Sequence, residues 1–195
     1  MTTLLFTHPA CLEHDPGRHH PEGQARLRAV LDALAGPEFA RLERREAPKA
    51  ALEDLVRVHP RPHVERLLRA VPKSGHIGID ADTVLSPASG EAALRAAGAV
   101  VAAVDAVVKR EANNVFCAVR PPGHHAEPER AMASACSTTS PSARCARAQC
   151  TSSTGSPSSI STFIMATALR PRSRPMTGSF THRPTSPRSI PGAGR

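Results

Sequence analysis

The amino-acid sequence predicts an α/β fold built on a parallel sheet, and three observations lead to that prediction. A short apolar run at Thr3–Thr7 has the length and composition of a buried strand. A long Ala-rich segment at Glu91–Arg110 is apolar on most of its surface, as expected of a buried helix. The run Val115–Val119 is again continuous and apolar, which indicates a second buried strand. A long helix followed by a short turn, a buried strand and a polar loop is half of a βαβ unit.

Helix-breaking residues divide the rest of the first 132 residues into further elements. The segment Pro9–Pro21 follows the first strand and is predicted to be a loop. Three more helices have apolar residues at helical spacing and Pro or Gly at their boundaries, and they are predicted over residues 21–36, 51–58 and 63–71. Residues 73–86 contain Gly and Asp without periodicity and are predicted to be a loop.

The last third of the chain has a different composition from the rest. The whole chain carries 25 Lys and Arg against 17 Asp and Glu, a net charge of +8. Residues 1–131 hold 17 basic and all 17 acidic side chains, whereas residues 132–195 hold eight arginines, no lysine and no acid. The same 64 residues contain 23 Ser and Thr, 7 Pro and no helical or strand period. We therefore expect residues 133–195 to be disordered or to fold poorly.

Several classes of protein are excluded by composition. No apolar run approaches the length of a membrane span, and the start of the chain lacks the basic and apolar regions of a secretory signal. Five irregularly spaced cysteines do not form a disulfide framework, so we expect a cytoplasmic protein. The absence of Trp and Tyr removes the aromatic platforms on which single-strand nucleic-acid binders stack bases.

A pair of adjacent histidines follows the second predicted strand. His124 and His125 come after a Pro-Pro-Gly turn, and Gly123 permits a close backbone approach. Chemistry in parallel α/β sheets gathers at the carboxyl ends of the strands. Two neighbouring histidines in different environments can hold different protonation states and act as acid and base. The alternative is that one histidine is buried and hydrogen-bonded to the backbone while the other is exposed.

A second candidate site is the loop after the first strand. Cys11, His14, His19 and His20 carry the thiol and imidazole groups that suit zinc. Their spacing matches no tight structural zinc pattern, and no second Cys/His pair accompanies them. Solvent-exposed loop histidines are the alternative interpretation.

These motifs together resemble a known family. The run Arg120–Glu127, which reads RPPGHHAE, and the Ala-rich Glu91–Gly98 resemble the zinc-dependent histone deacetylase family, in its bacterial deacetylase-like and acetoin-utilisation branch. The segment His8–Glu22 resembles the first active-site loop of that family, and Asp80–Thr83 resembles its second. The resemblance covers residues 1–132, which are predicted to be the N-terminal part of a catalytic domain.

The resemblance implies a fold and a chemistry. The fold is arginase-like, with three α/β layers and a parallel sheet that is incomplete in this chain, and the reaction is hydrolysis of an acetyl-amide with zinc. His125 is expected to be the general base and His124 its electrostatic partner or acid. Gly123, Asp82 and His20 are expected to bind substrate. A loop-capping carboxylate is the alternative interpretation of Asp82.

The resemblance also predicts that this polypeptide is inactive. The family takes its zinc ligands from an Asp-x-His and a later Asp, and no Asp follows Met132. We therefore predict no metal-binding residues and no zinc bound by this chain. The substrate class is an acetylated lysine, polyamine or small metabolite, with neither membrane nor nucleic acid expected as a partner. Valines such as Val100 and Val104 on the long helix are expected to lack packing partners in an incomplete domain.

A changed reading frame would account for the tail. The family continues after Met132 with Gly-Phe-Cys-Leu-Phe-Asn-Asn-Val-Ala, and codons for Ala133–Pro141 exist that give this run when read one base earlier. The same offset makes Ser159–Leu169 compatible with Asp-Phe-Asp-Val-His-His-Gly-Asn-Gly-Thr, the zinc-binding segment of the family, and Phe180–Ala193 permits another family-like run. Each shifted codon allows at most about four residues, so ten consecutive agreements rarely arise by chance. Residues 133–195 are predicted to be the out-of-frame translation of a gene that lost one base.

Two alternatives belong to other functional classes. The first is a non-enzymatic protein whose eight tail arginines contact nucleic-acid phosphates. Those arginines are scattered without a clustered face, which is typical of solvated charge. The second is a metal-binding module on the loop from Cys11 to His20.

Overall fold

The centre of the molecule is a sheet of three parallel strands. A computed structural model describes residues 1–18, 20–80 and 82–131, and the predictions for residues 133–195, including disorder, lie outside these described residues. Strand β1 (Thr3–Thr7) lies between β2 (Glu43–Glu46) and β5 (Asn114–Cys117). Both neighbours pair with β1 in parallel, with Leu4 opposite Glu43 on one side and opposite Val115 on the other. The prediction of a parallel sheet is confirmed.

Helices connect these strands. The described elements between them are, in chain order, α1 (Ala10–Glu13), α2 (Gln24–Leu34), a 3₁₀ turn (Pro37–Phe39), α3 (Leu52–Leu55), α4 (Arg61–Ala70), the two-stranded antiparallel hairpin β3 (Ile77–Gly78) and β4 (Val84–Leu85), and α5 (Ser89–Val108). Each predicted helix is present, although α3 is shorter than the predicted segment. None of the helices within the described residues is long and apolar enough to cross a membrane.

Helices cover both faces of the sheet, because successive side chains of a strand point to opposite faces. Leu4 and Phe6 of β1 pack with α5 in one buried cluster. Leu5, which lies between them, packs with Cys11 of α1 and Leu27 of α2 in a second cluster. The layers are therefore helix, sheet and helix, as the resemblance predicted.

The long helix α5 approaches the backbone of the chain closely. A Cβ atom added at Gly98 would lie 2.0 Å from the carbonyl oxygen of Pro48 and 2.6 Å from the backbone nitrogen of Ala50. Only glycine fits this crossing. Val100 is 1% exposed and packs against β1 and β5, so the expectation that it would lack partners is wrong. The described strands already supply its contacts.

Three short elements differ from the sequence predictions. Strand β2 has the sequence Glu-Arg-Arg-Glu, which carries no apolar alternation and was not predicted to be a strand. It forms because its backbone pairs with β1, while its side chains stay largely exposed. Helix α1 and the β3–β4 hairpin lie in segments predicted to be loops.

Candidate active site

The first predicted active-site loop and the segment that carries the histidine pair leave the sheet at the same edge. Strands β1 and β5 are parallel neighbours, so the chain leaves both at the same edge. The loop after β1 begins at His8, and the loop after β5 leads to the histidine pair. This is the edge at which α/β enzymes bind their substrates.

The two histidine rings of the pair lie against each other in unlike environments. The ring centroids of His124 and His125 are 4.0 Å apart and the rings are tilted by 46°. His124 is half-buried and His125 is exposed. Burial, and next the neighbouring His125, lower the pKa of His124, which favours a neutral ring at neutral pH. The pair can therefore hold two different protonation states, as acid–base chemistry requires.

One nitrogen of the pair has an unmet hydrogen bond. The Nδ1 atom of His124 is buried and has no partner among the described residues. The carboxylate of Glu22 is near enough to oppose the lowering of the His124 pKa, although burial has the larger effect. Among the described residues, His124 therefore has the Glu22 carboxylate nearby, and its Nδ1 atom has no hydrogen-bond partner.

A buried arginine after β5 holds the loop that follows β1. Arg120 is 1% exposed, and its Nε donates to Oε1 of Glu22 at 2.8 Å. Its Nη1 donates to the carbonyl oxygens of Cys11 at 3.0 Å and His14 at 3.2 Å, and its Nη2 donates to the carbonyl oxygen of Glu22. The guanidinium holds the first loop against the segment that leads to His124. Arg120 is part of the motif RPPGHHAE, but the sequence alone indicates no role for its side chain.

The structure also brings His20 and Asp82 together. The backbone N–H of Glu22 donates to Nδ1 of His20 at 3.1 Å, so in the neutral ring the proton lies on Nε2. Nε2 then donates to the carbonyl oxygen of Asp82 at 3.1 Å, and the N–H of Asp82 donates to Oδ1 of Asp80 at 2.9 Å. These contacts join the first and second loops. Gly123 is buried beside the histidine pair, and the substrate-binding roles of His20, Asp82 and Gly123 stay predictions.

A second network fixes the first loop to α5. Ser89 Oγ lies 2.7 Å from Nδ1 of His14 and accepts the N–H of Ser86 at 2.7 Å. The N–H of Asp15 donates to Oγ of Ser86 at 3.0 Å. Burial lowers the pKa of His14 to about 4, so this histidine is neutral at ordinary pH. A serine two residues after a proline was the only sequence signal for this network.

The described residues do not fit a zinc centre. No group of three or more His, Cys, Asp or Glu side chains in residues 1–18, 20–80 and 82–131 could hold a metal ion. Burial raises the pKa of the Cys11 thiol, and the Nδ1 atom of His14 is engaged by Ser89. Within the described residues this loop therefore shows no metal-binding group, and His19 lies outside those residues.

Comparison with known proteins gives a consistent answer. A family model described as the histone deacetylase domain matches residues 20–134. A histone deacetylase-like amidohydrolase of Pseudomonas aeruginosa is 44% identical over 150 residues, which cover 67% of this chain and 39% of that protein. A probable deacetylase of Archaeoglobus fulgidus is 39% identical over 131 residues, covering 66% of this chain and 36% of that protein.

A solved structure shares the fold. The crystal structure of the HDA15 HD domain matches with a TM-score of 0.69 and 25% identity over 76% of this chain and 44% of that one. The chain thus spans less than half the length of the relatives it matches. These matches do not favour a non-enzymatic nucleic-acid-binding protein. Because the family model covers more than half of the chain, the chain belongs to the histone deacetylase family.

Proposed function

We propose that residues 1–132 are the N-terminal part of a zinc-dependent deacetylase that hydrolyses acetyl-amide bonds. The observation that carries this proposal is the contact between the tilted rings of His124 and His125 at the carboxyl edge of the sheet. The family match and its hydrolase relatives support the reaction class. Acetylated lysine, polyamine or a small acetylated metabolite are the candidate substrates.

The two histidines have separate roles in this proposal. His125 is exposed, and in this proposal it accepts a proton from the attacking water. Burial lowers the pKa of His124, and in this proposal His124 is the electrostatic partner or acid. An acceptor at its unpartnered Nδ1 would fix the ring with its proton on that nitrogen and favour the charged form.

The substrate side of the site consists of the joined loops. His20 donates to the backbone of Asp82, which holds the second loop at the rim. The Asp82 carboxylate can then meet a substrate N–H or ammonium group. Gly123 leaves room for close approach of the acetyl group to the histidine pair.

The chain as written is proposed to be inactive. Zinc in this family polarises the acetyl carbonyl and activates water. The described residues gather no group of three ligands, and residues 132–195 contain none of the Asp residues from which this family takes its zinc ligands. The histidine pair would then lack the electrophilic help on which the reaction depends.

A lost base is the proposed origin of residues 133–195. The compatibility of Ser159–Leu169 with the zinc-binding segment supports this origin, as does a family match that ends at residue 134. Sequencing the gene across the codon for Met132 tests it. A nucleotide sequence whose shifted frame gives no deacetylase-like run would contradict the proposal. A cytoplasmic location rests on cysteine usage and stays a prediction.

An acetate-release assay tests the proposed function. The 195-residue chain and a version with one base restored after Met132 are each incubated with an acetyl-lysine peptide and an acetylpolyamine. We expect zinc-dependent acetate release from the restored version alone, and loss of that release in its His125→Ala variant. Turnover by the 195-residue chain would contradict the proposed inactivity, and a restored chain that turns over neither probe would contradict the reaction class.

A further inference from the structure

We propose that Glu22 is a positioning residue of the candidate site, which holds the segment of the histidine pair and places a negative charge near His124. Glu22 lies at the end of the first active-site loop, shortly before α2, and its side chain is 13% exposed. The inference rests on the proposed role of His124 and His125. Its test measures the ring of His124 directly and does not depend on turnover.

The Glu22 carboxylate joins two segments of the chain that each carry an arginine. Its Oε1 atom accepts from Nε of Arg120 at 2.8 Å, and its Oε2 atom lies 3.2 Å from Nη2 of Arg26. Arg120 is 1% exposed and precedes His124 on the same segment, whereas Arg26 lies on α2. A buried guanidinium needs a countercharge, so the carboxylate fixes the place from which the chain runs to the histidine pair.

The backbone of Glu22 makes further contacts to both active-site loops. Its carbonyl oxygen accepts from Nη2 of Arg120, so this arginine is held by the backbone and by the side chain of the same residue. Its N–H donates to Nδ1 of His20 at 3.1 Å, and Nε2 of His20 then donates to the carbonyl oxygen of Asp82 at 3.1 Å. Glu22 thus supports the segment of the histidine pair and also the contact between the first and second loops.

The charge of Glu22 also acts on His124. Burial, His125 and Arg26 all lower the pKa of His124, whereas Glu22 raises it. Among the described residues, the charged or titratable groups that act on this ring are therefore its neighbour after β5, the end of the first loop and one arginine of α2. A histidine that serves as an acid or electrostatic partner must be able to take up a proton, and the Glu22 carboxylate favours that form.

Glutamine in place of Glu22 separates the charge from the support. Glu22→Gln keeps the length of the side chain, an oxygen that can accept from Arg120, and the backbone N–H and carbonyl groups. It removes the negative charge near His124. A change in the titration of His124 would then come from the charge of Glu22, because the contacts that hold the two segments can still form.

An NMR titration of the 195-residue chain tests the proposal. The ring resonances of His124, assigned from their loss in His124→Gln, are followed against pH in the unaltered chain and in Glu22→Gln. We expect a lower pKa of His124 in Glu22→Gln, because a charge that raises it has been removed. The ring nitrogen shifts of His20 should report the same tautomer in both, because the backbone N–H that sets it remains.

Two further variants control for a general change in charge or in fold. Glu127→Gln removes the same charge from an exposed residue shortly after His125 and should leave the pKa of His124 unchanged. Glu22→Asp keeps the charge and should lower the pKa of His124 less than Glu22→Gln does. Circular dichroism checks that each variant retains its helix content.

A further measurement needs no variant. In the ¹³C-labelled unaltered chain, the Cδ resonance of Glu22 should shift at the pH at which His124 titrates, because the carboxylate senses the charge of the ring. An unchanged or raised His124 pKa in Glu22→Gln, an equal shift in Glu127→Gln, or a Glu22 Cδ resonance that does not follow His124 would each overturn the proposal. Failure of the frame-restored chain to release acetate would instead contradict the reaction class and leave the effect of Glu22 on His124 in place.

Discussion

Replacing Arg120 by methionine is the sharpest test of how the first active-site loop is held against the segment that leads to the histidine pair. The side chain is 1% exposed and makes four hydrogen bonds, two to Glu22 and one each to the carbonyl oxygens of Cys11 and His14. Methionine fills similar volume but donates nothing. The substitution therefore leaves a carboxylate and three carbonyl oxygens without their buried donor.

The expected loss follows from burial. Removing one partner of a buried ion pair costs about 3–5 kcal/mol, because the other charge stays behind uncompensated. Glu22 is 13% exposed and keeps Arg26 at 3.2 Å, so we expect a value near the lower end, about 3 kcal/mol. With a urea m-value of about 2 kcal/mol/M, the unfolding midpoint falls by about 1.5 M.

Arg45→Met is the matched control. Arg45 also pairs with carboxylates, Glu43 at 2.6 Å and Glu111 at 3.4 Å, but its side chain is 38% exposed. Exposed pairs contribute little because water solvates the charges that are left. Urea unfolding followed by circular dichroism should therefore show a much larger shift for Arg120→Met. Equal shifts for the two variants would refute the argument that Arg120 acts through burial.

Three further results are expected. Gly98→Ala should lower the urea unfolding midpoint although alanine favours helices, because its Cβ meets the Pro48 carbonyl. Gly90→Ala in the same helix is the control and should lower the midpoint less, because its Cβ meets only a valine methyl at 3.0 Å. The contribution of His14 to the free energy of unfolding should fall by about 3 kcal/mol from pH 6.5 to about 4, because His14 takes up a proton at higher pH in the unfolded chain than in the folded one. Urea unfolding at a series of pH values measures this loss, and His14→Gln should reduce it. Alkylation followed by peptide mapping should find Cys117 unreactive until denaturant is added, because burial raises its pKa to about 12.

The main elements of the fold could be predicted because their residues carry their own signals. Strand β1 has an apolar centre and helix α5 is apolar over most of its length, so composition and period identify them. Strand β2 could not be predicted, since its four charged residues form a strand only through pairing with β1. The crossing at Gly98 was equally hidden, because it depends on where Pro48 lies after folding.

Some residues of the candidate site were likewise indicated by the sequence, and others depend on contacts made only in the folded chain. The histidine pair follows a strand with a Pro-Pro-Gly turn, but that local pattern is not specific alone, and only together with the other motifs did it indicate a catalytic pair. The contact between His20 and Asp82 joins residues far apart in sequence, and only the family resemblance suggested that their loops meet. The roles of Arg120 and Ser89 are set by burial and by partners in distant segments, which no single sequence window records.

The proposed shift of the reading frame would explain both the net positive charge of the chain and the unpartnered Nδ1 atom of His124. Residues 1–131 are balanced, 17 basic against 17 acidic, and already fold both loops around the histidine pair. Nδ1 of His124 has no hydrogen-bond partner within residues 1–131 as described, and the written frame supplies no carboxylate after Met132. In the proposed shifted frame, Ser159–Leu169 is compatible with a segment that contains two Asp and two His. Restoring one base would thus replace an arginine-rich segment with one that carries acidic side chains. A carboxylate could then pair with the half-buried His124, and others could bind a metal ion.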